Sequence, residues 1–299
     1  MAVVFAAAAS LALAACGASS ASPGSSGSAL DTMTPGQITV AIEPYAPYTS
    51  MQGDKMVGLD ADILQAAADK LGLKIVPQVT DFNGMLAGVQ SQRVDIAIGG
   101  IAWTQDRAKV GLFTDPPYYS PSAMAIKDGA SAPQTVDALK GLDLGTVTGY
   151  VWVKAIQSVP DSRLHTYPDA NGLFADVAAG RVNVGFVDPL LISYTQQQRP
   201  DLGLQTKYMD PPTDAQVKQT PNYQYFQPYM TGFYVPKQEP KLEAAISKEI
   251  DAMYTDGTLA KLIQKYGGDP SQYLTPSPTM SAARQSADRA ASWNAPSGK

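Results

Sequence analysis

The sequence predicts an α/β protein of two similar lobes, and three observations carry that prediction. Over residues 31–270 short β-branched or apolar runs alternate with amphipathic helical windows, the pattern of strands covered by helices. The alternation recurs from Leu142 onward, as a second lobe requires. A chain of 299 residues, 44% hydrophobic and 16% charged, is long and apolar enough for two cores.

Ile38–Ile42 reads as the first strand. Asp60 is placed to cap a helix that carries Ile63, Ala67 and Leu71 on one face, and Gly72 stops it before a strand at Lys74–Val76. That is a βαβ unit. A helix around Met85, Leu86 and Val89 leads into a strand at Val94–Ile98, which ends at Gly99-Gly100, where the backbone is open to close approach. The second series places strands at Leu142–Val147, Leu164–Tyr167 and Val182–Val187, with helices after Gly149 and over Ala170–Ala179. Residues 179–185 echo the rhythm of 92–98. Finally Leu242, Ile246, Ile250 and Met253 share one helical face, Asp256-Gly257 breaks it, and Thr258–Tyr266 closes the series against the first lobe.

The two ends read differently. Residues 1–15 are an apolar run shorter than the roughly 20 residues that span a bilayer, which reads as an export signal. Leu13-Ala14-Ala15-Cys16 before Gly17 resembles the bacterial lipobox, which makes Cys16 the lipidated N-terminus of the mature chain, tied by a Gly/Ser tether over 17–30. No Lys or Arg precedes Lys55, so the basic region of a signal is missing, as expected if translation starts further upstream. Residues 271–299 mix Ser, Pro, Ala and Gln without apolar periodicity and read as a disordered tail.

Composition excludes much chemistry. Net charge is -5 and no window gathers the Lys and Arg that a phosphate backbone attracts, so nucleic acid is not an expected partner. One cysteine forbids an internal disulfide, and one histidine, His165, removes Cys/His zinc sites and histidine-based triads. No metal and no cofactor is expected.

Several spaced motifs then fall in order: Tyr45-Ala46-Pro47-Tyr48, Gly58 to Ile63, Asp81-Phe82, Asp95 to Arg107, and Phe113-Thr114-Asp115 with Tyr118. Ala179-Gly180-Arg181 leading to Asp188, Asp256-Gly257-Thr258 and Lys265-Tyr266-Gly267 complete the series. Together they resemble the bacterial extracellular solute-binding proteins of family 3, the polar amino acid type that feeds ABC importers. The resemblance implies two Rossmann-like lobes joined by a two-strand hinge, the type II periplasmic binding protein fold. Crossings near Ser120–Ser122 and Met230–Gly232 give lobe 1 as 31–121 with 231–270, and lobe 2 as 122–230. It also implies closure on a small ligand, a permease as partner, a membrane-anchored lipoprotein and no enzymatic activity; the tether and acidic surface suggest a monomer.

By the same resemblance Arg107 grips a ligand carboxylate, which suits its planar fork and the helix that Thr104 can cap beside it; the residues alone equally allow a surface ion pair with Asp106 or Asp115. Asp188 matches the acceptor for the ligand amino group, while Asp188-Pro189 also reads as a helix cap. Tyr45 and Phe82 match positions that sandwich the ligand side chain, or they are core aromatics. Glu43 stands near a place where binders of cationic side chains carry an acid, or it is a solvated carboxylate at a strand end. Gly100, Ala102, Thr148, Tyr150 and Val151 complete the expected site. Ala102 and Val151 stand where many members place a Ser or Thr, which leaves backbone amides at Gly100, Ala102 and Val151 as donors and counts against a standard α-amino acid, so the expected ligand is an amino acid or a related amine or carboxylate. Tyr208, Tyr223, Tyr225, Phe226 and Tyr229 form either an aromatic wall for a cation or a loop packed on lobe 2. Two other functions fit the fold: a cyclohexadienyl dehydratase-like enzyme using Glu43 and Asp188 as acid and base, and a ligand sensor for a separate membrane protein.

Overall fold

The computed structural model describes residues 30–298. Cys16, the apolar run before it and residues 17–29 of the expected tether lie outside the described residues. The first strand, β1 (Gln37–Ile42), buries Ile38, Val40, Ala41 and Ile42. A hairpin of β2 (Ser50–Gln52) and β3 (Lys55–Val57) precedes α1 (Leu59–Leu71), which Gly72 ends in the left-handed conformation. β4 (Lys74–Val79), α2 (Phe82–Gln90), β5 (Ile96–Ala97), α3 (Gln105–Ala108) and β6 (Leu112–Phe113) follow. Strand β7 (Tyr119–Ser120) then carries the chain to β8 (Ala123–Lys127) in a second sheet.

That sheet is completed by β9 (Asp143–Val147), α4 (Trp152–Gln157), β10 (Arg163–Tyr167), α5 (Ala170–Ala178), β11 (Val184–Phe186), α6 (Pro189–Gln198) and β12 (Leu204–Tyr208). Helix α7 (Asp214–Gln219) and a 3-10 turn at Pro221–Phe226 lead to β13 (Tyr229–Met230), which pairs antiparallel with β7. The chain thereby returns to the first sheet at β14 (Tyr234–Val235), followed by α8 (Pro240–Asp256) and α9 (Thr258–Lys265). Sheet orders are β4-β1-β5-β14-β6 and β10-β9-β11-β8-β12. In each, the second strand of the order runs parallel to both neighbours, β1 to β4 and β5, and β9 to β10 and β11. Two α/β lobes joined by a two-strand hinge are therefore observed, and the carboxyl ends of β1, β5, β9 and β11 all open on the cleft between them, where open α/β sheets bind ligands.

Two expectations are corrected. Asp60 does not cap α1, whose cap position is Gly58. Its buried carboxylate instead accepts from the amides of Gly99 and Gly100 (2.8 and 2.9 Å) and from the Tyr118 hydroxyl (2.7 Å), pinning the glycine turn after β5. The segment 271–298 is not a structureless tail. After α10 (Pro270–Tyr273) it forms α11 (Pro278–Gln285), which docks on the first lobe through arginine rather than through an apolar stripe. Arg284 is fully buried, donates to the carbonyls of Thr114 (3.1 Å) and Phe113 (3.2 Å), pairs with Asp288 (3.0 Å), and lies 5.7 Å from the Trp103 ring and 5.2 Å from that of Trp293. Arg289 reaches Asp115 (2.9 Å) and Glu243 (2.7 Å), and the hinge residue Tyr119 donates to the Pro296 carbonyl (2.6 Å).

Removing one partner of a buried pair leaves the other unpaired, which typically costs about 3–5 kcal/mol. Arg284→Ala is expected to lower unfolding stability by that order in urea titrations; a change under about 0.5 kcal/mol would show that the docking contributes nothing.

Candidate functional site

The cleft wall begins where β1 ends. Glu43 and Tyr45 follow it directly and are 6% and 3% exposed. Glu43 is therefore not a solvated strand-end carboxylate. Its Oε1 accepts from the hydroxyl of Tyr150 (2.7 Å), which belongs to the facing lobe. The reciprocal contact runs the other way: Tyr45 donates to Asp188 Oδ2 at 2.5 Å, and the Asp188 amide donates to the Tyr45 hydroxyl at 3.2 Å. Tyr229 donates to Asp188 Oδ1, which Ser120 also approaches at 3.3 Å. Although Asp188 occupies the cap position of α6, its side chain makes no capping bond to that helix, so its carboxylate serves the cleft.

Among the described residues neither carboxylate meets a cation. Burial pushes Asp188 up to about 7, against hydrogen bonds from Tyr45 and Ser120. Burial likewise raises Glu43 to about 7, against the Tyr150 hydrogen bond, and the charge of Asp188 adds to the rise. Behind them burial holds Asp60 at about 6 despite its three donors.

The opposite sign is supplied by Arg107 on α3, a helix capped by Thr104, which accepts from the Arg107 amide at 3.2 Å. The alternative of a surface ion pair does not hold, because Asp106 is taken by Lys109 and Lys154 and Asp115 by Arg289. The guanidinium instead donates to the carbonyls of Ala102 (2.8 Å) and, across the cleft, Gly149 (3.1 Å), and lies 5.0 Å from the Phe82 ring centre. Burial without a carboxylate partner brings it down to about 10. Gly149 must be glycine for this contact. At φ +88° a Cβ there would stand 2.3 Å from Asn83 Oδ1 in the facing lobe.

Together Phe82, Gly99, Gly100, Ala102, Arg107, Tyr150, Val151, Trp152, Asp188 and Tyr229 line an interlobe cavity of about 20 Å³, room for about one water molecule. Of the expected residues, Phe82, Gly100, Ala102, Arg107, Tyr150, Val151 and Asp188 line it, and Tyr45 and Glu43 adjoin it through their bonds to Asp188 and Tyr150. Thr148 is exposed and its amide donates to Tyr167, bracing β9 against β10. The Gly100 amide is occupied by Asp60 and is not a free donor. Trp152, which no sequence motif marks, enters the wall, as does Tyr229 from the aromatic run. Trp152 Nε1 is buried with no acceptor among the described residues, and it stands beside Val151, where a hydroxyl was missed. Of the aromatic run, Tyr223 and Phe226 are buried, Tyr208 is exposed, and Tyr229 reaches the cleft. Among the described residues no group of three or more His, Cys, Asp or Glu is arranged to hold a metal.

The bacterial extracellular solute-binding proteins, family 3, match residues 38–269 as a sequence family. The probable amino-acid-binding protein YxeM of Bacillus subtilis is 27% identical over 74% of this chain and 79% of its own. The histidine-binding periplasmic protein of Escherichia coli is 24% identical over 81% and 92%. Among solved structures, an ancestral arginine-binding protein bound to glutamine superposes with a TM-score of 0.67, at 25% identity, over 79% of this chain and all of that one. With the two-lobed fold and a charged cleft at the strand ends, these matches place the chain in the bacterial extracellular solute-binding proteins of family 3.

Proposed function

We propose that the protein captures an α-amino acid outside the cytoplasm and delivers it to the permease of an ABC importer. The observation that carries the reading is charge left unmatched in a closed cleft: Arg107 has no carboxylate partner among the described residues, while Asp188 and Glu43 have only hydroxyl and amide donors. An amino acid supplies what each lacks. Its carboxylate meets the Arg107 fork, and its ammonium meets Asp188. Trp152 Nε1 offers a donor where Ala102 and Val151 have no hydroxyl. Glu43 adds a second acid, so two acids and one base complement the two cations and one anion of a basic amino acid. Among the relatives, a histidine-binding and an arginine-binding protein take basic amino acids, while an L-cystine-binding protein takes another. We further propose that Cys16 carries the lipid anchor and that the protein acts as a monomer.

The dehydratase reading has one favourable observation, two carboxyls near neutrality in one cleft. Each is engaged by a tyrosine of the facing lobe, which suits closure on a bound solute better than proton shuttling, so we read the protein as non-enzymatic.

Four outcomes are expected. L-arginine or L-lysine raises the unfolding temperature, and Arg107→Ala weakens binding by about 2–5 kcal/mol in calorimetry; unchanged affinity would remove Arg107 from the site. Asp188 and Glu43 hold protons to higher pH folded than unfolded, so the stability they contribute is complete at about pH 4 and is lost as pH rises through about 7. A ligand ammonium favours their ionised forms, so affinity climbs from about pH 5 to about pH 7.5 with proton release on binding, and Asp188→Asn flattens the climb. A climb in the opposite direction would contradict the assignment. Finally, Cys16→Ser is expected to move the protein from the membrane fraction to the medium; retention at the membrane would exclude the lipid anchor.

A further inference from the structure

We propose that Tyr150 is a built-in occupant of the ligand's side-chain space, a plug that every long side chain must displace and that only a cationic one reaching Glu43 replaces without leaving that acid unpartnered. The inference rests on the reading of Arg107 and Asp188 as the amino acid clamp and extends it to what lies beyond them. A ligand held by its carboxylate on Arg107 and its ammonium on Asp188 has its side chain directed among the rings that adjoin those two groups. Phe82 lies under the Arg107 guanidinium and Tyr45 is bonded to Asp188. Glu43 is the remaining carboxylate of that wall.

The Tyr150 ring already takes this course. Its centroid is 4.8 Å from that of Phe82 and 5.9 Å from that of Tyr45, edge-on in both cases, and its hydroxyl ends on Glu43 at 2.7 Å. It satisfies an acid that would otherwise be buried without a partner, and it reduces the shared cavity to about 20 Å³. A side chain as long as arginine and Tyr150 cannot both occupy the space. Glycine, which has no side chain to place there, does not compete with it.

The backbone around Tyr150 permits the exchange. Tyr150 sits between Gly149, at φ +88°, and the first turn of α4, in a segment held by turn bonds rather than by a sheet ladder. An aliphatic side chain that displaces the ring leaves Glu43 without a donor, whereas a cationic one replaces the neutral hydroxyl with a charged donor that pairs with the acid. Affinity for a long ligand is then reduced by the fraction of molecules in which the plug is out. The population of the plugged state can be read directly from an affinity ratio.

The experiment is calorimetry of wild type, Tyr150→Ala and Tyr150→Phe against L-arginine and glycine, with folding checked by circular dichroism. Removing the ring is expected to raise the ratio of arginine to glycine affinity at least tenfold. Tyr150→Phe, which keeps the ring and loses the bond to Glu43, is expected to raise it by a smaller factor. A ratio that stays constant or falls, with glycine still bound, would overturn the plug and make Tyr150 an ordinary wall of the site. Failure of wild type and both folded variants to bind either amino acid would overturn the clamp reading itself, and the plug with it.

Discussion

A half-buried guanidinium without a carboxylate, facing two buried carboxylates without a cation among the described residues, is the constraint on which the rest of this structure depends. Charges removed from water are tolerated only when something compensates them. Here the compensation is partial and made of neutral groups: carbonyls for Arg107, and tyrosine and serine hydroxyls for Asp188 and Glu43. Such contacts close the cleft without neutralising it. A zwitterion puts an opposite charge against each of these groups, which gives closure around a solute a favourable energy difference over closure alone.

The scaffold serves this arrangement in detail. Four parallel strand ends deliver the polar residues, β1 with Glu43 and Tyr45, β5 with the glycine turn, β9 with Gly149 and Tyr150, and β11 with Asp188. Asp60 reaches from α1 to hold the glycine turn, so the backbone after β5 is fixed before any ligand arrives. The two tyrosine–carboxylate contacts are reciprocal, each lobe giving one donor and one acceptor. The short β7–β13 pair links the lobes, and the arginine-anchored segment 278–298 braces the first lobe beside it through Tyr119.

Much of this was legible in the sequence because it obeys periodicity. The helix face of Ile63 and Ala67, the stop at Gly72 and the strand at Asp143–Val147 follow from local pattern, and Arg107 and Asp188 sit at recognisable distances from glycine turns and strand ends. What was not legible depends on single contacts between distant residues. Asp60 looks like a cap from its position, yet its partners are nearly 40 residues away in Gly99 and Gly100. Residues 271–298 lack an apolar stripe because they are held by Arg284 and Arg289, whose acceptors are backbone carbonyls and acids that no local pattern announces. Trp152 begins a helix and resembles core, and only its unpaired Nε1 beside the cavity marks it as more. Thr148 shares a short run with Tyr150 but points to the opposite side of the turn, toward solvent.

The most direct test of the account is a crystal structure with L-arginine. It predicts the ligand carboxylate on the Arg107 fork, the α-ammonium within hydrogen-bond distance of Asp188, and the guanidinium at Glu43 with the Tyr150 ring turned out of the wall. Arginine bound with its carboxylate away from Arg107, or outside the cleft altogether, would contradict the claim that these unmatched charges are the solute site.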